Sequence, residues 1–252
     1  DMMRDHYEGT PLDISNDFGA GPYKTPYRLS PLNFKVDGQE YFNERPISTQ
    51  QSGFVFVAQM RAHKPDPIGG VLWFGVDDAN MAVFTPVYCC ATKVPVCYTR
   101  VDGADYITFS WNSAFWIFNG VANYAYGKYS FMMPDIKQVQ AHWETDFNAL
   151  VPSIDKAAVN MPEAEARAFL TKFSLTQAEN STAAWKKLGE YLLVKYMDGN
   201  IKKEKDGKFL QNELHIPPGI IRAGYSEEIL RQIAKEHPGL RVKTQEELNS
   251  RK

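Results

Sequence analysis

The stretch from Gly53 to Tyr88 constrains this chain more than any other. In Phe54-Val55-Phe56-Val57-Ala58-Gln59-Met60-Arg61, alternate residues fall on opposite faces of a strand. Phe54, Phe56, Ala58 and Met60 share one face; Val55, Val57, Gln59 and Arg61 share the other, whose apolar half gives way to polar groups at one end. A turn through Lys64-Pro65-Asp66-Pro67 leads to a second strand, Gly69 to Val76, and Asp77-Asp78-Ala79-Asn80 turns the chain into a third, Met81 to Tyr88. The pattern predicts an antiparallel meander that is apolar on both faces over much of its length. Such a sheet has to be covered twice.

The cover follows in sequence. Ser113 to Tyr129 is apolar nearly all round, with Phe115, Trp116, Ile117, Phe118 and Val121, as a buried helix is. The aromatics Trp111, Trp116, Tyr124 and Tyr126 read as core rather than as a stacking platform. Pro134 suits the first position of another helix, along which Ile136, Val139, Trp143, Phe147, Leu150 and Ile154 keep a spacing of three and four until Pro152 kinks or ends it. Pro162 to about Met197 predicts a further pair of helices, with Phe169, Phe173, Trp185, Leu188, Leu192 and Val194 as core candidates. Lys202 to Lys208 reads as a charged turn, and Ser226 as the cap of a short last helix. Strands first and helices after make an α+β chain. Residues 1–52, interrupted by Pro11, Pro22, Pro26, Pro31 and Pro46, read as irregular, and a segment of that length is usually functional or wraps a surface.

Charge and motifs exclude several classes. With 28 basic and 30 acidic residues the net charge is −2, which offers no general attraction to nucleic acid or to an anionic membrane. No run of about 18 apolar residues is present to cross a bilayer as a helix. There is no βαβ rhythm, no glycine-rich phosphate loop and no G-x-S-x-G elbow. The five histidines show no HExxH spacing and the cysteines no CxxC. Cys89, Cys90 and Cys97 are too few and too bunched for a disulfide framework and read as free thiols beside an apolar strand.

Two places carry candidate chemistry. The first is Arg4-Asp5-His6-Tyr7-Glu8-Gly9-Thr10-Pro11-Leu12-Asp13, the densest cluster of ionisable groups in the chain. Arg4 can bind a carboxylate through two N–H groups, and Asp5, His6 or Glu8 can orient donors or move protons. A solvated chain end whose charges pair among themselves has the same composition. The second is the pair Gln59 and Arg61 on one strand face, an amide and a fixed positive charge. They either reach into a cleft at the end of the sheet or mark where the strand emerges into water.

The opening cluster closely resembles the RDHxEGTxxD signature of the cysteine dipeptidases related to dipeptidase A and the secernins. The resemblance continues in order through Arg45-Pro46-Ile47-Ser48, the Phe54–Arg61 strand, Gly69–Gly75, Thr85-Pro86-Val87-Tyr88 and Ser113-Ala114-Phe115-Trp116. It covers roughly residues 2–160. It implies a share of a four-layer αββα N-terminal-nucleophile fold, with a core portion over residues 1–130 and a helical region over 131–252. In that family an amino-terminal cysteine thiol attacks the peptide carbonyl and its own α-amino group, of ordinary pKa near 8, serves as base. Asp1 is not a nucleophile, so the resemblance implies that the cysteine lies upstream and that this chain is a carboxy-terminal part. It further implies a dipeptide as substrate and the amino-terminal half of the same protein as partner, with homo-oligomerisation open and no metal or organic cofactor; the alternatives within the resemblance are an amidase acting on acyl-amino acids, bile-salt conjugates or penicillin-type amides, and a non-catalytic secernin-like binding module. Arg4, Asp5, His6, Glu8, Thr10, Gln59 and Arg61 are the substrate-binding candidates that match its motifs. The compartment stays open.

Overall fold

Two residues turn part of the entry segment into a hairpin. Asn33–Val36 (β1) and Gln39–Phe42 (β2) pair antiparallel around Asp37 and Gly38, at φ 51° and 79°. An Asp-Gly pair adopts these left-handed angles readily, and the resulting twist matches that of the strands. The expectation of an irregular segment holds on either side of it but not here. The computed structural model describes residues 2–249 and divides into two units, Asp1–Tyr196 and Met197–Lys252.

In the first unit the meander forms as Phe54–Met60 (β3), Gly70–Val76 (β4) and Thr85–Tyr88 (β5), antiparallel and in the order β3-β4-β5. Register places Val55 opposite Gly75, Val57 opposite Trp73 and Gln59 opposite Val71. Gly75 is required there because a Cβ would stand 2.8 Å from Val55. The third strand is shorter than the sequence pattern predicts. Residues 81–84 leave the ladder because their backbone groups are bonded by side chains from elsewhere in the chain. Pro86 is admissible in β5 because that strand lies at the sheet edge.

Helices Ala114–Tyr126 (α1), Tyr129–Ala158 (α2) and Glu163–Lys195 (α3) supply the cover. Val71 and Tyr88 of the sheet pack with Val151 and Ala158 of α2 and Leu170 and Phe173 of α3. Pro134 lies inside α2 rather than at its start, and Pro152 does not end it. A helix-interior proline costs roughly 3 kcal/mol, and burial of Ile136, Phe147, Val151 and Ala158 along one stripe outweighs it at about 1.5–3 kcal/mol for each large side chain. Residues 163–195 form one helix, not two, because the stripe Leu170, Phe173, Trp185, Leu188, Leu192 is unbroken. Val194 falls off that stripe and stays exposed; Trp111, ahead of α1, and Tyr124, within it, are exposed too, against the expectation of core positions.

α3 also closes one edge of the sheet. Ser174 Oγ accepts the Tyr88 N–H at 3.0 Å, Thr85 Oγ1 donates to Ser181 Oγ at 3.0 Å, and Thr171 Oγ1 accepts the Thr92 N–H. The β3 edge has no such cover among the described residues, and Phe54, Phe56 and Met60 on its outer face are 62%, 51% and 76% exposed.

The second unit holds two small antiparallel pairs. Asn200–Ile201 (β6) pairs with Ile221–Arg222 (β9), and Glu204–Lys205 (β7) with Lys208–Phe209 (β8), the latter turning on Asp206-Gly207. The charged turn of the sequence is therefore a hairpin. Glu227–Glu236 (α4) is capped as expected, Ser226 Oγ accepting the Ile229 N–H. No helix among the described residues is long and apolar enough to cross a membrane.

Candidate functional site

A buried loop creates the demand that the opening segment meets. Residues 77–83, between β4 and β5, are buried, and buried backbone N–H and C=O groups must find partners. Arg4 Nε donates to Ala79 O at 2.9 Å and Nη2 to Ala82 O at 3.0 Å. From α2, Lys137 Nζ donates to Asn80 O at 3.0 Å, and Gln140 Nε2 to Asn80 O and Ala82 O. Trp185 Nε1 on α3 donates to Met81 O at 3.0 Å. Glu144 accepts the Phe84 N–H at 3.0 Å and pairs with the Arg4 guanidinium through both its oxygens, while Arg4 stacks over the Phe84 ring.

The loop's own carboxylates organise its inner side. Asp78 accepts hydrogen bonds from Ser48 Oγ at 2.7 Å, the Asn80 N–H at 2.9 Å and Tyr126 Oη at 3.1 Å. Ser48 in turn donates its N–H to Asp5 O, so the Arg-Pro-Ile-Ser segment ties the opening cluster to the loop. Asp77, at φ 68°, accepts from Asn119 Nδ2 at 3.1 Å through Oδ1, while Oδ2 is buried with no partner among the described residues. Burial pushes its carboxyl up to about 7, against the pull of the Asn119 hydrogen bond.

His6 is fully buried beside this hub, edge-on to the rings of Tyr27 and Tyr129 at 5.1 and 6.2 Å. Glu8 accepts the His6 N–H at 3.0 Å and lies 3.2 Å from Nδ1. That contact suits a neutral ring with its proton on Nδ1, and Nε2 is left buried with no partner among the described residues. Burial lowers the imidazole pKa, outweighing the pull of Glu8 and Asp78. The rest of the cluster shapes the turn. Asp5 Oδ1 accepts the Tyr7 N–H, Thr10 Oγ1 donates to Tyr7 O and accepts the Leu12 N–H, and Asp13 accepts the N–H groups of Gly9 and Ser15. Hydrogen bonds from Ser15 are the main reason the Asp13 carboxyl titrates below its usual range.

Gln59 and Arg61 lie elsewhere. Gln59 is exposed and its Oε1 accepts from Trp73 Nε1 at 3.1 Å. Arg61 is buried with its guanidinium on Asp155 (Nη1 to Oδ2, 2.6 Å) and on Ile68 O. Tyr88 Oη donates to the same carboxylate at 2.7 Å, and Lys64 pairs with it. Asp77 bonds to Gly53 at the start of β3, so the strand, at about 3.3 Å per residue, separates Arg61 from the opening cluster by on the order of 20 Å.

Between the opening segment and α2 lies a polar cleft of about 680 Å³, lined by Arg4, Asp5, Glu8, Lys137, Gln140 and Glu144 among others. The α2 residues escaped a search for apolar periodicity, yet 137, 140 and 144 recur at steps of three and four, one polar stripe of a helix. A second cavity of about 630 Å³ sits on the outer sheet face, lined by Phe54, Leu72, Phe74, Val87 and Tyr98 with other apolar groups. Among the described residues no group of three or more His, Cys, Asp or Glu side chains is placed to hold a metal ion.

No curated protein matches this sequence in a direct search. A family model does: that of peptidase family C69 matches residues 1–142, from the opening cluster, through the three-stranded sheet and the clamped loop, to the α2 stripe as far as Gln140. Over half of the sequence is thereby accounted for by one family, in the same segments that build the polar cleft. The chain belongs to peptidase family C69, a family of cysteine peptidases.

Proposed function

We propose that this chain is the carboxy-terminal part of a cysteine dipeptidase of the N-terminal-nucleophile class, whose attacking thiol lies upstream of residue 1. The observation that carries the proposal is the state of the thiols in the chain itself. Cys97 is buried, with Thr182 Oγ1 at 3.5 Å and Ala178 O at 3.8 Å from its sulfur, and burial pushes its thiol pKa up. Cys90 is shifted the same way by the same cause. An activated thiol needs the opposite shift, from a base or a positive charge beside it. Among the described residues no histidine hydrogen-bonds to any of the three cysteines.

The sheet supports the same proposal. Helices cover one face and the β5 edge, while among the described residues the β3 edge is uncovered and Phe54, Phe56 and Met60 on its outer face are exposed; a four-layer αββα arrangement would place a second sheet against that face. Free dipeptides are the substrate class, and the polar cleft with its mixed charges suits a small zwitterion better than a long apolar acyl group.

The test is made on the complete protein. A panel of unmodified dipeptides, acyl-amino acids, bile-salt conjugates and penicillin-type amides is assayed before and after replacement of the upstream amino-terminal cysteine by serine. Dipeptide hydrolysis that falls by at least about 10³-fold in the variant supports the proposal. Hydrolysis that survives the replacement, or activity confined to the other amides, overturns it.

A further inference from the structure

The charges that line the polar cleft are not equally committed. Arg4 spends Nε on Ala79 O, Nη1 on Glu144 and Nη2 on Ala82 O and Glu144. Glu144 is engaged by that guanidinium and by the Phe84 N–H. Lys137 differs. An ammonium carries three donors, and Nζ uses two, on Asn80 O at 3.0 Å and on Gln140 Oε1 at 3.2 Å. Its third N–H has no acceptor among the described residues. On the opening segment, Asp5 Oδ1 holds the Tyr7 N–H, but Oδ2 has no partner among the described residues. Glu8, which holds His6, still has a side chain 54% exposed.

We propose that Lys137 is the specificity residue that takes the free carboxylate of a dipeptide in this cleft, with Asp5 and Glu8 facing its ammonium end. The inference rests on the dipeptidase reading and deepens it by naming the groups that would read the two termini. Lys137 is half-buried on α2 and backed by the clamped loop, so its position is set before any ligand arrives, which lowers the cost of binding. Desolvation draws its pKa down to about 8, with Arg4 adding to the fall and Glu144, Asp78 and Glu8 opposing it. A ligand carboxylate beside a partly desolvated ammonium offsets that penalty. The guanidinium of Arg4, already neutralised by Glu144, offers no such gain.

The test uses the complete enzyme and two probes that lack the scissile peptide bond, an Ala-Ala isostere with a CH2–NH linkage and its carboxamide. Isothermal titration compares wild type with Lys137→Met and Lys137→Arg. The expected result is that the carboxylate probe binds wild type at least about tenfold more tightly than the carboxamide. Lys137→Met should abolish that preference with little effect on the carboxamide, and Lys137→Arg should restore part of it. A Lys137 that only props the loop would weaken both probes equally and lower Tm, and that result overturns the proposal. So does a wild type indifferent to the carboxylate. Because binding is read without turnover, failure of the dipeptidase reading shows separately, as absent hydrolysis of dipeptides by the same preparation.

Discussion

Asp77 combines a left-handed backbone, burial and one oxygen with no partner among the described residues, and its burial acts on its proton. Its carboxyl, raised to about 7 by burial, binds a proton in the folded state over a range where the unfolded chain has released it. Between about pH 4 and 7 the native state therefore holds more protons than the unfolded one, and stability falls as pH rises. His6 has the opposite sign: burial depresses its pKa, so its contribution is lost as pH falls below about 6.5. Asp77→Asn keeps the acceptor for Asn119 and suits positive φ. We expect it to be near neutral at pH 4 and to stabilise the protein by between about 1 and 4 kcal/mol at pH 8. Urea denaturation at both values measures this, and an unchanged pH slope would mean that Asp77 does not titrate as described. None of this was legible in Asp77-Asp78-Ala79-Asn80, which has the composition of an exposed turn. What buries the turn are Arg4, Lys137, Gln140 and Trp185, each more than fifty positions away.

At the scale of elements, local pattern was readable and long-range pairing was not. Alternation over residues 54–61 fixes strand β3 because both faces are decided within eight residues. The fate of Arg61, the residue that follows it, depends on Asp155, ninety-four positions on, and from sequence Arg61 reads equally as a cleft residue or as a strand end entering water. It is instead the bolt between β3 and α2, shared with Tyr88 and Lys64. Asp155→Ala strands a buried guanidinium and should cost about 3–5 kcal/mol. The double change Arg61→Met with Asp155→Leu should recover most of that loss. Chemical denaturation of the single and double variants decides it, and a double variant as unstable as Asp155→Ala would rule the account out. The two hairpins were missed for a different reason. Asp37-Gly38 and Asp206-Gly207 are strong turn signals, but the first stands among prolines and reads as irregular structure, and the second, in a run of charges, reads as a turn without its strands. The prolines of α2 misled in the other direction, because a long buried stripe tolerates a break that an isolated helix would not.

For the whole molecule the decisive feature is the unequal treatment of the sheet's two edges. The β5 edge is sealed by hydroxyl groups of α3, whereas the β3 edge, with Phe56 and Met60 exposed, presents an open template for pairing. Residues 1–252 produced alone should self-associate through it. Phe56→Lys should shift residues 1–252 toward monomer in sedimentation velocity, and unchanged self-association would place the sticky surface elsewhere. The clamped loop has a consequence in time. Its carbonyls wait for Trp185, 104 positions beyond Met81, and Arg4 waits for Glu144, 140 positions on. At a synthesis rate of roughly 5–20 residues per second, the first of these gaps alone lasts several seconds. Throughout that interval Met81 O lacks the indole donor that covers it in the folded protein, so a ribosome-bound chain stalled before α3 should leave this segment more open to proteases than the finished protein does.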